Sequence, residues 1–403
     1  MPTLANYDQF SGTHWETGSV RNFFAQRGFT APHTGHPYSE ALLLGVSGGA
    51  VMGYFTFLYQ GHDPQCNILT RNTFDPLDKM LSRLGVVQNV QHTAKPQRAE
   101  DILVDTLEEG QPAIVWADMW SLPYNALPWD EGMWGASPLL VYGYEPQEDL
   151  VTIADRAQVP LTVTVEELAA ARGRIKKIKH RLLTLDAPVE EKLAAAVHLG
   201  ICDTIKLFTE KPPKGSKNNF GLNAYQFWAK MLTQPKQRLS WEKQFPAGLP
   251  MYAGLTSAYE FAFLFGKGAG QDAERGMYAD FLAEAAVLLD KPALNDAATQ
   301  FRATAAAWQQ LPAVLLPDEI RPFATSRELM LRKHTLFLEQ GGAALEEIHA
   351  INARLAGVRN AMSNDFPLTQ GEVEAFRERL AEHILVIHDA EATAVQTLQD
   401  ATA

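Results

Sequence analysis

The chain has 403 residues, of which 46% are hydrophobic and 20% charged, and its formal net charge is −12. These values are typical of a globular protein long enough for two domains, and they exclude a disordered or fibrous chain. The negative charge also disfavours a nucleic-acid-binding protein, because neutralising phosphates requires clustered Lys and Arg.

The beginning of the chain and its cysteines indicate a cytoplasmic protein. The residues from Met1 to Asn6 lack the basic and apolar pattern of a secretory signal, and the longest apolar runs are too short to span a bilayer. Two cysteines, Cys66 and Cys202, are too few for a disulfide framework or a Cys-rich metal site. The histidines lack metal-ligand spacing, so we expect no metal and no other cofactor.

The first half of the chain combines helical and β-like patterns. Helical spacing covers Val20 to Phe24 and Leu77 to Leu84. Five β-like runs follow, at residues 112–116, 139–142, 150–153, 161–165 and 181–185. The acidic, proline-containing segment 144–149 predicts a hairpin turn between the second and third runs. This order predicts an α+β fold with an antiparallel sheet.

After Pro188 the β pattern stops and the remaining chain has helical periodicity. Apolar stripes run from Leu294 to Trp308 and from Val373 to Ile387, the second preceded by the capping-box sequence 369–372. Residues 211–217 are rich in Lys, Pro and Gly and predict an exposed loop. We therefore predict an α+β domain at residues 1–187 and an all-helical domain at residues 188–403.

Three segments place reactive side chains at helix starts, beside glycines or at strand ends, where side chains are often directed into clefts. They are His14-Trp15-Glu16-Thr17, Ser39-Glu40 with the glycines at 45, 48 and 49, and Trp134 to Ser137 with Asp155 closing the next strand. Singly, each has a structural interpretation. A histidine can pack, a first-turn acid favours the helix dipole, and glycines permit turns.

Together these segments resemble the N-terminal domain of the butirosin biosynthesis protein H family. In that family a His-Cys-Glu-Thr stretch opens the first helix, a Ser-Glu stretch precedes glycines, and a Gly-His strand leads to Tyr-Gly-Tyr-Asp. The counterparts are residues 14–17, 39–48 and 136–145. The helical half resembles the domain of unknown function that usually follows, through residues 266–270 and 277–286, and the whole resemblance covers most of residues 8–312.

The resemblance implies a papain-like, C39-peptidase-like fold and transfer of an acyl group from a carrier-protein thioester to an amine of a natural product. In such a site a thiolate attacks the thioester, a histidine handles the proton and an acid orients the imidazole. Here the resemblance places Trp15 at the cysteine and Ser137 at the histidine, and retains the acid as Asp155. Because an indole cannot attack a thioester and a serine cannot act as a general base, cysteine-dependent transfer is not expected.

Three chemical routes stay open. A thiol can come from Cys66 or Cys202, Ser137 can pair with His14 as a dyad, or acid–base chemistry can proceed without a covalent intermediate. The candidate catalytic residues are His14, Glu16, Ser137 and Asp155. The candidate substrate-binding residues are Trp15, Ser39, Glu40 and Trp134.

Two classes of function are compatible with this sequence. The first is an enzyme of secondary metabolism acting on a small-molecule acyl or amine substrate, which we favour because ionisable groups directed into a pocket are costly unless used. The second is a non-catalytic protein that binds a partner or small molecule in the pocket that corresponds to the family's active site. The basic run Arg172–Arg181 is either a solvated surface or a docking surface for an acyl carrier protein. Assembly into a homo-oligomer is compatible with either class.

Overall fold

The computed structural model describes residues 3–402, and within them the strands lie between Ala50 and Leu185. The strands are Ala50–Phe57 (β1), Gln65–Arg71 (β2), Gln88–Gln91 (β3), Ala113–Asp118 (β4), Ala136–Glu145 (β5), Leu150–Ala154 (β6), Leu161–Val163 (β7) and Leu182–Leu185 (β8). The helices of this half are Trp15–Gln26 (α1), Glu40–Val46 (α2), Pro76–Arg83 (α3), Pro96–Glu108 (α4) and Val165–Gly173 (α5). The five predicted β runs are confirmed as β4 to β8.

Six strands form one antiparallel sheet in the order β3-β8-β4-β5-β6-β7, and β1 and β2 form a separate antiparallel hairpin. Residues 146–149 form the turn between β5 and β6, so the predicted hairpin is confirmed. The α+β class and the antiparallel sheet are therefore as the sequence predicts.

From residue 186 to residue 402 the described chain has helices and no strand. The helices are Leu193–Thr209 (α6), Gly221–Thr233 (α7), Trp241–Gln244 (α8), Leu249–Phe263 (α9), Arg275–Leu288 (α10), Leu294–Trp308 (α11), Leu311–Leu315 (α12), Arg321–Gln340 (α13), Leu345–Ala361 (α14) and Gln370–Thr402 (α15). The capping box before α15 is confirmed, because Thr369 and Glu372 exchange side-chain and backbone hydrogen bonds.

The two faces of the six-stranded sheet pack against different helices. Side chains alternate along a strand, so Ile114 and Leu140 lie on the face that α1 covers. Val115 and Leu139 lie on the opposite face, in a cluster with apolar side chains of α4 and α5 and of α13 and α14. Both halves of the chain thus contribute helices to this layer.

The two halves share one continuous hydrophobic core and approach each other closely. A Cβ added to Gly45 of α2 would lie 2.2 Å from the ring of Phe281 on α10, and one added to Gly200 of α6 would lie 2.2 Å from the carbonyl oxygen of Gly45. The secondary structure changes between Leu185 and Leu193, near the predicted boundary at residue 187. Since the core is shared, the division into two domains at that residue stays a prediction.

Among the described residues, no helix combines the length and the apolar character needed to cross a membrane.

Candidate functional site

A buried carboxylate joins the start of α1 to the start of α2. The two oxygens of Glu40 accept hydrogen bonds from Thr13 N at 2.7 Å, Thr13 Oγ1 at 2.9 Å, His14 N at 2.9 Å and Thr17 Oγ1 at 2.9 Å. Backbone N–H groups at a helix start have no partner inside the helix, and Glu40 supplies one for two of these residues. Glu40 therefore fixes the backbone that carries His14.

The imidazole of His14 lies between two carboxylates, one from each half of the chain. The residue is 2% exposed, and its Nδ1 is 3.5 Å from Glu40 Oε1 and 3.3 Å from Thr17 Oγ1. Its Nε2 is 3.4 Å from Oε1 of Glu274. This side chain, selected from the sequence, therefore lies at the contact between the halves.

Glu274 is surrounded by positive charge. Lys267 Nζ donates to its Oε1, and Arg71 Nη1 approaches the same oxygen at 3.4 Å. Burial alone would raise the pKa of Glu274, but the charges of Lys267, His14 and Arg71 outweigh burial and hold this pKa well below its usual range. Glu274 also has the left-handed backbone conformation, with φ of +60°, as does Ala273 at +54°. Strained backbone of this kind is concentrated at functional sites.

Three of these groups, His14, Lys267 and Glu274, line a cavity of about 400 Å³. Its ionisable lining residues are His14, Lys267, Asp272, Glu274 and Asp280, and its apolar ones include Ala41, Ala262 and Met277. Burial, and next the charge of Glu274, raise the pKa of Asp272. Within residues 3–402, no group of three or more His, Cys, Asp and Glu side chains is arranged to hold a metal ion.

Trp15 is the first residue of α1, as the sequence predicts, and its indole packs at the contact between the halves. Its ring centroid is 5.1 Å from that of Phe265, and the guanidinium of Arg156 lies 4.7 Å from the Trp15 ring. Gly266, at φ of +68°, lies so close that an added Cβ would be 2.4 Å from Trp15 Cζ3. Only glycine fits there, on grounds of both space and backbone conformation.

Asp155 is linked to the Trp15 indole through Arg156 rather than to the site through His14. Its Oδ2 accepts from the Tyr124 hydroxyl at 3.2 Å, and its carboxylate accepts from Arg156 at 3.1 and 3.2 Å. Because the same guanidinium lies over Trp15, Asp155 orients a cation that covers the indole. The structure does not place it in hydrogen-bonding contact with the imidazole.

Ser137 and Glu16 lie apart from the cavity lining. Ser137 pairs with Ala117, and this register places both residues on the sheet face opposite the one that α1 covers. Ser137 is not among the residues that line the cavity with His14. Glu16 is partly exposed, 3.9 Å from Arg71. Their catalytic roles stay predictions.

Two candidate binding residues, Ser39 and Trp134, make their contacts outside the cavity. Ser39 Oγ accepts from Leu42 N at 2.9 Å as the cap of α2 and donates to Glu284 Oε2 at 2.8 Å. Trp134 is 53% exposed, with Lys177 Nζ 4.6 Å from the ring centroid. Neither side chain is among those that line the cavity.

The two cysteines offer no thiol at this site. Cys66 lies on β2 and is fully buried, and burial raises the pKa of its thiol well above the usual value. Cys202 lies on α6, within the predicted helix, and is partly buried beside His198. Since the cavity lining includes neither, a replacement cysteine nucleophile finds no support in the geometry.

Sequence reasoning missed Arg71 and the part of the site that the helical half contributes. That part includes Lys267, Asp272 and Glu274. A charged residue inside the glycine-rich stretch 266–270 was the available signal. These residues follow His14 by more than 250 positions, so their proximity arises only from the packing of the halves.

Comparison with protein families supports a two-part organisation. Residues 14–156 match the model described as butirosin biosynthesis protein H, N-terminal, and residues 165–321 match the model described as a domain of unknown function (DUF4872). No curated protein sequence matches the chain. The fold and this pair of domains define a biosynthesis-related protein with a composite site, in which His14 comes from the first matched region and Glu274 from the second. The chain carries the N-terminal domain of the butirosin biosynthesis protein H family, followed by the second domain of unknown function.

Proposed function

We propose that this protein is an acyltransferase-type enzyme of secondary metabolism that joins an acyl thioester to an amine without a covalent cysteine intermediate. The observation that carries the proposal is the buried His14, held between Glu40 and Glu274 at the wall of a cavity. The family supplies the class of chemistry, and the cavity supplies space for a small-molecule substrate.

The surroundings of Trp15 support a papain-like interpretation of the first half. Helix α1 begins at this residue and packs against β5, the position that the family resemblance gives to the nucleophile. A thiolate at a helix N-terminus would be stabilised there, but the indole of Trp15 is no nucleophile for a thioester. We therefore assign the proton transfers of the reaction to His14.

In the proposed reaction the amine nitrogen attacks the thioester carbonyl carbon. A C–N bond forms, the C–S bond breaks, and the amine proton passes to the leaving thiolate. His14 carries that proton between the two substrates as a general acid–base group, and the ionised Glu274, whose Oε1 lies 3.4 Å from His14 Nε2, orients and stabilises the imidazole. Glu40 acts as a positioning residue, because it binds the backbone of His14 rather than the cavity contents.

We propose the basic run Arg172–Arg181 as the docking surface for an acidic acyl carrier protein. Two of its arginines are committed internally: Arg172 is buried and donates to two backbone carbonyls, and Arg174 pairs with Asp118 at 2.7 Å. The three side chains with free access to solvent are Lys176, Lys177 and Lys179. Exposed lysines near Trp134 suit a partner that presents both acidic and apolar groups.

A second candidate is a non-catalytic binding protein of the same family. The packing of Trp15 against Phe265 and Gly266 favours it, because the indole occupies the nucleophile's place as a structural contact. In that case His14 would bind a ligand without turning it over.

The test is amide formation from an acyl-N-acetylcysteamine thioester and a panel of small amines. We expect His14→Gln to lower the rate at least about 100-fold, the usual contribution of a general acid–base group. His36→Gln is the matched control, because His36 is exposed and outside the cavity, and it should retain the wild-type rate. Equal rates in wild type and His14→Gln would overturn the proposal, and binding without turnover would favour the second candidate.

A further inference from the structure

Lys267 is a buried amine at the wall of the cavity. Its side chain is 6% exposed, and Nζ donates to Thr70 Oγ1 and to Glu274 Oε1. Two glycines of the same segment, Gly268 and Gly270, also line the cavity, so the wall beside the amine has little side-chain bulk. The acyl-transfer proposal assigns this amine no reaction of its own.

We propose that Lys267 is a carbonyl-reactive lysine that forms an imine with a neutral aldehyde or ketone bound in this cavity. Neutral compounds are favoured because Asp272 and Asp280 line the same cavity and disfavour anionic ligands such as keto acids. The inference goes beyond the acyl-transfer proposal, since it requires neither a thioester nor an amine substrate.

The environment of Lys267 favours the nucleophilic, neutral form of the amine. Burial lowers the pKa of Lys267 to about 8, although Glu274 opposes that shift. The neighbouring charges of Arg71 and Arg275 contribute to this lowering. At pH 8 about half of such an amine is neutral, compared with roughly 0.4% for a lysine with a pKa of 10.4. Desolvation beside other cations is an established way to activate a lysine nucleophile.

The neighbouring groups can carry the protons that imine formation requires. Nζ attacks the carbonyl carbon, an N–C bond forms, and the carbonyl oxygen takes a proton to give a carbinolamine. The C–O bond then breaks, the oxygen leaves as water with a second proton, and nitrogen loses its remaining protons to give the neutral imine. The ionised Glu274 accepts from Lys267 Nζ, and its Oε1 also lies 3.4 Å from His14 Nε2, so the neighbouring imidazole can supply and take up these protons.

The other oxygen of Glu274 provides a place for the intermediate. Among the described residues Glu274 Oε2 is buried and has no hydrogen-bond partner. A buried carboxylate oxygen without a donor is unfavourable, so a ligand that donates to it gains binding energy. The carbinolamine hydroxyl, on the carbon that is bound to Nζ, is such a donor.

The experiment is reductive trapping with propanal and cyanoborohydride at pH 8, followed by peptide mapping by mass spectrometry. We expect labelling of Lys267 to exceed that of the exposed Lys177 at least about tenfold. Lys333 is an internal control, because its pKa is also lowered by burial but it does not line the cavity. It should remain unlabelled while the protein is folded.

Two further samples keep the result decisive. Lys267→Arg retains the positive charge beside Glu274 and should abolish the preferred label, and unfolding in urea should abolish the preference for Lys267 over Lys177. Labelling confined to exposed lysines in the folded protein, with Lys267 unmodified, would overturn the inference and leave Lys267 as a structural partner of Glu274. Because no thioester is used, that failure would not bear on acyl transfer.

Discussion

Replacing Glu40 with glutamine tests the anchoring of the site most sharply. The carboxylate accepts four hydrogen bonds of 2.7 to 2.9 Å, two on each oxygen. A glutamine has one carbonyl oxygen, and whichever way its amide lies, the NH₂ group faces a backbone N–H, which cannot accept, and a threonine hydroxyl, which can turn to accept. One hydrogen bond is lost and the other three lose their charged partner, and hydrogen bonds to charged groups contribute about 1.5–3 kcal/mol each, compared with about 1 kcal/mol for neutral ones. Removing a buried charge offsets part of this loss, so we expect destabilisation of about 2–4 kcal/mol.

Glu16→Gln is the matched control for this substitution, because Glu16 lies near the same helix start but is partly exposed, with Arg71 as its ion-pair partner at 3.9 Å. An ion pair of that kind contributes at most about 1 kcal/mol. Equilibrium urea unfolding, followed by circular dichroism, gives both free energies of unfolding. Destabilisation of Glu40→Gln by no more than that of Glu16→Gln would refute the role of Glu40 as the anchor of His14.

Two further predictions concern packing and partner binding. Gly357→Ala, in α14, should raise the free energy of unfolding by about 1 kcal/mol through helix propensity, because nothing lies within 4 Å of the added Cβ. Gly200→Ala should lower it by about 1–2 kcal/mol, because its Cβ would lie 2.2 Å from the Gly45 carbonyl oxygen and overpacking outweighs the gain in propensity. Urea unfolding measures both changes. Changing Lys176, Lys177 and Lys179 together to glutamate should weaken the binding of an acyl carrier protein at least tenfold, as measured by calorimetry. Turnover of N-acetylcysteamine thioesters should stay unchanged. An unchanged affinity for the carrier protein would exclude the basic run as the docking surface.

The sequence predicts the strands of the main sheet well because their apolar residues are continuous and their boundaries are marked by Pro, Gly and acids. The hairpin of β1 and β2 was missed for a physical reason. Gly53 interrupts its pattern, and the hairpin packs against α7 and α9, which are more than 140 residues away along the chain. Strand β1 is buried over its first five residues and so leaves little alternation to detect, whereas β2 does alternate in burial.

Some residues of the candidate site are likewise recognisable from the sequence, and others are not. His14 and Glu40 are recognisable because helix starts display their first-turn groups, and the structure brings these two together. Glu274 is not recognisable, because nothing in its local sequence reveals a left-handed backbone conformation at a residue other than glycine. Ser137 was placed by resemblance alone, and the strand register that directs it to the other sheet face is fixed by pairing with β4.

The most direct test of the central claim is intact-protein mass spectrometry during turnover of an acyl-N-acetylcysteamine thioester with an amine. The wild-type protein should form amide while no acylated protein accumulates, and His14→Gln should form neither amide nor adduct. An acyl adduct mapped to Ser137, Cys66 or Cys202, lost together with amide formation when that residue is changed to alanine, would contradict the claim that His14 acts without a covalent intermediate.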